Sequence, residues 1–282
     1  MATPLAPPLE IAPLGPAGGS EITGIDIARL DEDGFRAIRN ALSNTGVVVV
    51  RDQDISPEQH IVFARRFGGI DLNNYFPIDS AYPEIALVRK EKDQTTNIGG
   101  GWHTDHSYDA VPAMGSVLVA RELPPSGGDT LFIDMAAVFA SLPGQLKDEL
   151  RALGAVHSAD HIYGESGYYA STDQGGSLRG QAISAGAVHP AVIRHPDSGR
   201  EVLYVNPAFT LRFEGMTREE SLPLLGRLYA AATRPENVIR VRWRPGTVII
   251  WDNRSTWHTA ENDYQGHART MHRITLTGVA LS

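Results

Sequence analysis

TVIIWDNRSTWH, residues 247–258, joins a strand-like run, Thr247 to Trp251, to a polar continuation ending in Trp257-His258. A short run of β-branched and apolar residues bounded by Gly246 and Asp252 reads as a strand. Similar runs surround it at Ser116 to Ala120, Gly186 to Arg194, Val202 to Asn206, Ile239 to Arg244 and Arg273 to Val279. So many short strands in the second half predict a sandwich or barrel. Helical patches at 136–153 and at 217–232, the latter opened by the Thr217-to-Glu220 capping box, are expected to pack outside it on one side. The expected fold class is mainly β with flanking helices, a jelly roll.

Pro and Gly crowd the first nineteen residues, which read as a loose arm leading into a strand at Glu21 to Ile27. A helix follows, capped by Asp31 and closed by Gly46, with Phe35, Ile38 and Leu42 on one face. Val47 to Val50 is then a buried strand. Ser56-Pro57-Glu58-Gln59 opens a second helix over 57–66, in which His60 reads as an ordinary partly buried histidine. Two Gly-rich stretches, near 95–101 and 162–181, are expected to be mobile loops that cover a site. Residues 1–282 are expected to form a single domain.

The composition, 42% hydrophobic and 21% charged, is that of a globular chain with a real core. The net charge of −8, with no dense cluster of Lys and Arg, argues against nucleic acid and for a small-molecule partner. No signal sequence or long apolar run is evident, so the chain is expected to be cytoplasmic with no membrane partner. Cysteine is absent, which removes disulfide scaffolds, thiolate zinc sites, iron–sulfur clusters and cysteine nucleophiles. Any metal must be held by His, Asp and Glu. Gly-x-Ser-x-Gly and His-Glu-x-x-His are also absent, which argues against a hydrolase.

His103-Thr104-Asp105 follows a triglycine and Trp102 at the start of the strand-rich region. On a strand, residues two apart point to one face, so this imidazole and carboxylate can converge on one ion. His195-Pro196-Asp197 has the same spacing, but it continues Ser198-Gly199 and reads as a turn. His258, after the opening strand, is the candidate third ligand. Two histidines and a carboxylate without a thiolate form the facial triad of non-haem Fe(II) oxygenases, with coordination positions left for co-substrate and oxygen. Arg269 and Arg273 follow, four apart and on one face if extended, suited to capturing carboxylates.

These residues, with Glu21-Ile22-Thr23-Gly24, Arg65-Arg66-Phe67-Gly68, Gly127-Gly128-Asp129-Thr130, Leu203-Tyr204-Val205-Asn206 and Trp251-Asp252-Asn253-Arg254, closely resemble the taurine dioxygenase and 2,4-dichlorophenoxyacetate dioxygenase family. The resemblance covers nearly the whole chain, with its motifs in the family's order. It implies a cupin-like double-stranded β-helix and an Fe(II)- and 2-oxoglutarate-dependent dioxygenase. Such an enzyme hydroxylates, and by that route can cleave, a small organic substrate while 2-oxoglutarate and O2 give succinate and CO2. By that resemblance His103, Asp105 and His258 match the iron ligands. Thr130 and Arg269 match the pair on the distal carboxylate of 2-oxoglutarate. Arg273 matches the arginine near its C1 carboxylate, where an anionic substrate is also held.

The family resemblance further implies a homo-oligomer, dimer or tetramer. It departs where substrate is read. Asp71-Leu72-Asn73-Asn74-Tyr75-Phe76 stands where taurine-type enzymes carry a histidine, which argues against taurine itself. Asn73, Tyr75, Phe76, His106, Tyr163 and Phe209, with Arg273, are the expected substrate-binding residues. The substrate implied is a carboxylate, sulfonate or sulfate ester. The alternative is a redox-neutral or sensory jelly-roll protein using the same triad, for which Thr130 and Arg269 have no particular use.

Overall fold

Local chemistry sets the first elements of a computed structural model that describes residues 8–72, 76–175 and 186–282. The Asp31 carboxylate accepts from the Gly34 amide and caps the helix Glu32–Thr45. Gly46 ends it at φ 72°, a conformation glycine adopts without strain, and a Cβ there would lie 2.5 Å from Thr256 Cγ2. The capping boxes at Ser56/Gln59 and Thr217/Glu220 both form, starting the helices Pro57–Arg65 and Arg218–Ala232. His60 is a helix histidine as expected, but fully rather than partly buried, and bonded to the Val117 carbonyl at 3.2 Å.

Several boundaries differ from the sequence reading. The arm is not loose throughout: Glu10–Gly15 and Gly18–Thr23 pair as a hairpin whose turn is Pro16-Ala17. The expected strand 21–27 stops at Thr23 because Gly24 turns the chain at φ 74°, and Ile27–Arg29 is a 3-10 turn capped by Asp26. The patch 136–153 divides into Met135–Ser141 and Gly144–Arg151 at Pro143, which has no N–H for a continuing helix. The run 186–194 is two strands, Ala187–Pro190 and Val192–Arg194, which pair with Gly154–His157 and Glu201–Leu203 respectively.

An eight-stranded sheet dominates the described residues, with Val248–Asp252 in its middle between Val47–Val50 and Gly115–Glu122. Arg269–Leu276 pairs with Gly115–Glu122 on one side and with Ala86–Lys90 and Ile70–Asp71 on the other. Facing it is a three-stranded sheet in the order Val238–Val241, Thr130–Asp134, Thr256–Ala260. Period-two alternation decides what lies between the sheets. Val47, Val49, Leu118, Ile249, Trp251 and Met271 meet Phe132, Ile239 and Val241 in one inner core. The alternate residues Val48, Val50, Val117, Val119, Val248 and Ile250 face outward against the first two helices. The double-sheet jelly roll is thus as expected, but its helices do not lie on one side. The later helices pack in a separate cluster around Ile133, Trp257 and the strand Glu201–Leu203. No helix among the described residues is long and apolar enough to cross a membrane.

Candidate metal centre and its cavity

The segment 252–255 carries the chain from the large sheet to the small one, and Asp252 and Arg254 hold that crossing. Arg254 clasps Asp252 through Nε at 2.9 Å and Nη2 at 2.6 Å, and reaches Asp197 at 2.7 Å. His195 Nδ1 accepts from the Asp197 and Ser198 amides, so its Nε2 donates to Asp252 Oδ2 at 3.0 Å. The second His-x-Asp is therefore a turn, as its sequence indicates, and it braces the segment leading to His258.

His258 sits within Thr256–Ala260 and makes a two-way backbone bridge with His103, at 3.0 and 2.8 Å. His103 and Asp105 do not share the continuous strand expected from their spacing. One bridge residue is followed by a turn in which His106 has φ 59°. The convergence survives because the turn brings Asp105 back toward the bridge. Ligand atoms of His103, Asp105 and His258 all lie within 4.8 Å of one another, and all three residues are buried.

The donor set suits a cation. His103 Nδ1 donates to the Gly101 carbonyl at 2.9 Å, which leaves Nε2 as a lone pair facing Asp105 Oδ1 at 3.5 Å. His258 Nε2 lies 3.3 Å from Asp105 Oδ2, and its Nδ1 is buried without a partner. Burial, with His103 nearby, pushes the His258 imidazole down to about 4, so it is a neutral ligand near pH 7. Burial opposes ionisation of Asp105, yet the charge of Arg273 holds its carboxyl well below the usual range. Arg273 Nη2 approaches Asp105 Oδ2 to 2.8 Å as an ion pair, although neither atom makes a well-angled hydrogen bond. Two imidazole nitrogens around a carboxylate, in a pocket without thiolates, fit Fe(II).

The triad opens on a cavity with about 520 Å³ of unfilled space, part of it open to solvent. Thr130, Arg269, Arg273, Phe76 and Tyr163 line it with the triad, as do Ile98, Leu118 and Trp251. Arg269 and Arg273 share one inward face of the strand Arg269–Leu276, as their spacing predicts. Arg273 is fixed by Ser116 Oγ at 3.0 Å and lies between the Phe76 and Trp251 rings. Arg269 is buried with its Nε unbonded and no carboxylate within ion-pair distance among the described residues, and burial lowers its pKa.

Phe209 stands behind the metal centre, edge-on to His103 at 6.2 Å, rather than on the cavity wall. His106 is buried, bonded to Asp109 at 2.9 Å and stacked on Tyr108, and it too is off the wall. Asn73 and Tyr75 lie outside the described residues. Sequence reasoning passed over the wall residues Ile98, Leu118 and Trp251, which carry no chemical signature. It also passed over Trp243, whose indole N–H donates to Thr130 Oγ1 at 2.9 Å.

The family described as "Taurine catabolism dioxygenase TauD, TfdA family" matches residues 10–275. The (S)-phenoxypropionate/alpha-ketoglutarate-dioxygenase of Sphingobium herbicidovorans is 32% identical over 262 residues, covering 91% of this chain and 90% of that protein. The alpha-ketoglutarate-dependent sulfate ester dioxygenase of Pseudomonas putida is 31% identical over 281 residues, covering 98% and 91%. The crystal structure of a taurine dioxygenase from Burkholderia xenovorans superposes with a TM-score of 0.79 at 33% identity, covering 98% and 93%. With this match along nearly its whole length, the chain belongs to the TauD/TfdA family of alpha-ketoglutarate-dependent dioxygenases and is an oxidoreductase.

Proposed function

We propose that the protein binds Fe(II) through His103, Asp105 and His258, takes 2-oxoglutarate as co-substrate, and hydroxylates a small organic anion. The observation that carries this reading is the buried, anion-free Arg269 in the same cavity as the triad. A redox-neutral or sensory use of the triad would leave that charge without purpose. Iron bound there supplies the oxygen chemistry by which 2-oxoglutarate, O2 and a substrate C–H become succinate, CO2 and a C–OH product.

The chain's residues do the rest by binding and orientation. Arg269 and the Thr130 hydroxyl hold the distal carboxylate of 2-oxoglutarate, the arginine through its planar fork. Arg273 supplies positive charge at the metal end, for the C1 carboxylate and for the acid group of the substrate. The apolar wall of Phe76, Ile98, Leu118 and Tyr163 excludes water and accommodates the body of the substrate. Phe209, behind His103, and His106, held by Asp109, shape the substrate side from outside that wall, while Asn73 and Tyr75, outside the described residues, are proposed for substrate binding from the sequence alone. Relatives named for phenoxypropionate, sulfate esters and taurine support a carboxylate, sulfate ester or sulfonate as the substrate. A hydroxyl placed beside a heteroatom would collapse to a carbonyl and a leaving group, so cleavage follows from the same step.

The test is anaerobic. Fe(II) and then 2-oxoglutarate are added to metal-free protein, and the visible spectrum is recorded. A weak charge-transfer band of a keto acid chelated to ferrous iron is expected, and it should vanish in His103→Ala. Its absence from folded wild-type protein would refute the reading. Its presence moves the work to carboxylates, sulfonates and sulfate esters, scored by succinate release.

A further inference from the structure

Thr130 and Arg269 reach the cavity from different sheets, and one side chain touches both. Trp243 lies two residues beyond Val241, the strand partner of Thr130. Its indole N–H donates to Thr130 Oγ1 at 2.9 Å. Its ring faces the Arg269 guanidinium, with Cζ 5.5 Å from the ring centroid. The segment bearing it is strapped down. The buried Arg51 donates to the Arg242 carbonyl at 2.8 Å and to Thr247 Oγ1 at 3.0 Å, and the Gln53 amide donates to the Gly246 carbonyl at 2.8 Å.

A threonine hydroxyl has one proton to give and two lone pairs, whereas an indole N–H can only donate. With the Trp243 proton on one lone pair, and no protein group among the described residues accepting the proton of Thr130, that proton is left for an anion in the cavity. On the other side, the aromatic face favours a guanidinium lying against it and restrains the plane of a fork that has no carboxylate to fix it.

We infer that Trp243 is a positioning residue for the distal carboxylate of 2-oxoglutarate: it aims the Thr130 proton and holds the Arg269 fork, so that both are set before the dicarboxylate arrives. The inference rests on the 2-oxoglutarate reading of Thr130 and Arg269. It makes Trp243 a determinant of selectivity for a dicarboxylate over a 2-oxo acid that lacks the distal group.

The experiment compares 2-oxoglutarate with pyruvate, which keeps the keto acid and has no distal carboxylate. Each is titrated anaerobically into Fe(II)-loaded wild type and Trp243→Phe, which keeps a ring for Arg269 but loses the N–H. The readouts are the dissociation constants. Affinity for 2-oxoglutarate should fall about tenfold, the scale of one hydrogen bond, while that for pyruvate is unchanged. In a Thr130→Val background, Trp243→Phe should cost nothing further, because the hydroxyl it orients is gone. Retained 2-oxoglutarate affinity, or equal weakening of both acids, would overturn the inference, the latter indicating general disturbance of the site. If wild type does not prefer 2-oxoglutarate to pyruvate, the underlying reading of Thr130 and Arg269 fails instead. Should Trp243→Phe not fold, as judged by circular dichroism, the same series is run with Trp243→Tyr.

Discussion

A guanidinium taken out of water with no anion beside it destabilises the fold that holds it, so a buried Arg269 with no carboxylate in ion-pair distance among the described residues points to a function. Arg269→Ala should therefore separate two quantities that usually move together. The affinity for 2-oxoglutarate should fall by more than about a hundredfold, because a desolvated carboxylate loses its cation. The thermal midpoint of the ligand-free protein should hold or rise. Calorimetric titration and a melting curve check the pair, and unchanged affinity would remove Arg269 from the co-substrate site. At this scale the sequence was informative where chemistry is local. His103-Thr104-Asp105 stood out from His195-Pro196-Asp197 by its neighbours alone, and the structure separates them in the same way. Thr130 carried no signal of its own and was found only through resemblance. Trp243 carried none at all, because its meaning depends on a strand register that joins residues 113 positions apart.

Among the elements, helices were more legible than strands, for a physical reason. A helix end is decided within four residues by groups such as Asp31, Gly46 and Ser56, all visible in sequence. Of the strands that carry the site, Thr256–Ala260 is rich in polar residues and Thr130–Asp134 has an apolar run of only Leu131 to Ile133, so neither announces itself and both are fixed by their cross-strand partners. The crossing at Asp252–Ser255 has a testable electrostatic character. Burial alone would raise the Asp252 pKa, but Arg254 and His195 hold it at about 2, below an unfolded value near 3.8. A group depressed in the folded state contributes stability that is complete above about pH 4 and is lost as pH falls toward 2; here that contribution is roughly 2 kcal/mol. Asp252→Asn should be less stable at neutral pH, since it leaves the buried Arg254 with the partly exposed Asp197 as its one anion among the described residues, and should lose less stability between about pH 4 and 2. Denaturant unfolding at several pH values measures both slopes, and parallel acid profiles would contradict the assignment.

For the whole molecule, the jelly-roll class was legible from the count of short strands, but the pairing of distant segments was not. No local signal says that His103 bridges His258, or that Arg269 stands opposite Lys90. The two Gly-rich stretches expected to cover the site are bonded to one another in their described parts, and Ile98, Gly99 and Tyr163 from them line the cavity. Asp173 accepts from Thr95 Oγ1 at 2.8 Å and from the Thr96 amide at 3.1 Å, and Tyr169 Oη accepts from the Gly99 amide at 3.1 Å. Their nature as mobile lids remains our proposal.

The two arginines on the cavity wall also set what may be charged inside it. On the proposed reading, Asp105 and 2-oxoglutarate bring three negative charges, against four positive ones from a divalent metal, Arg269 and Arg273. One further negative charge makes the cavity neutral. A sulfate ester or a carboxylate brings one, whereas a phosphate ester brings nearly two at neutral pH and leaves a buried excess worth several kcal/mol. The sulfate and phosphate esters of one alcohol, matched in shape, should then differ sharply in succinate release, and equal rates would show that the cavity does not discriminate by valence.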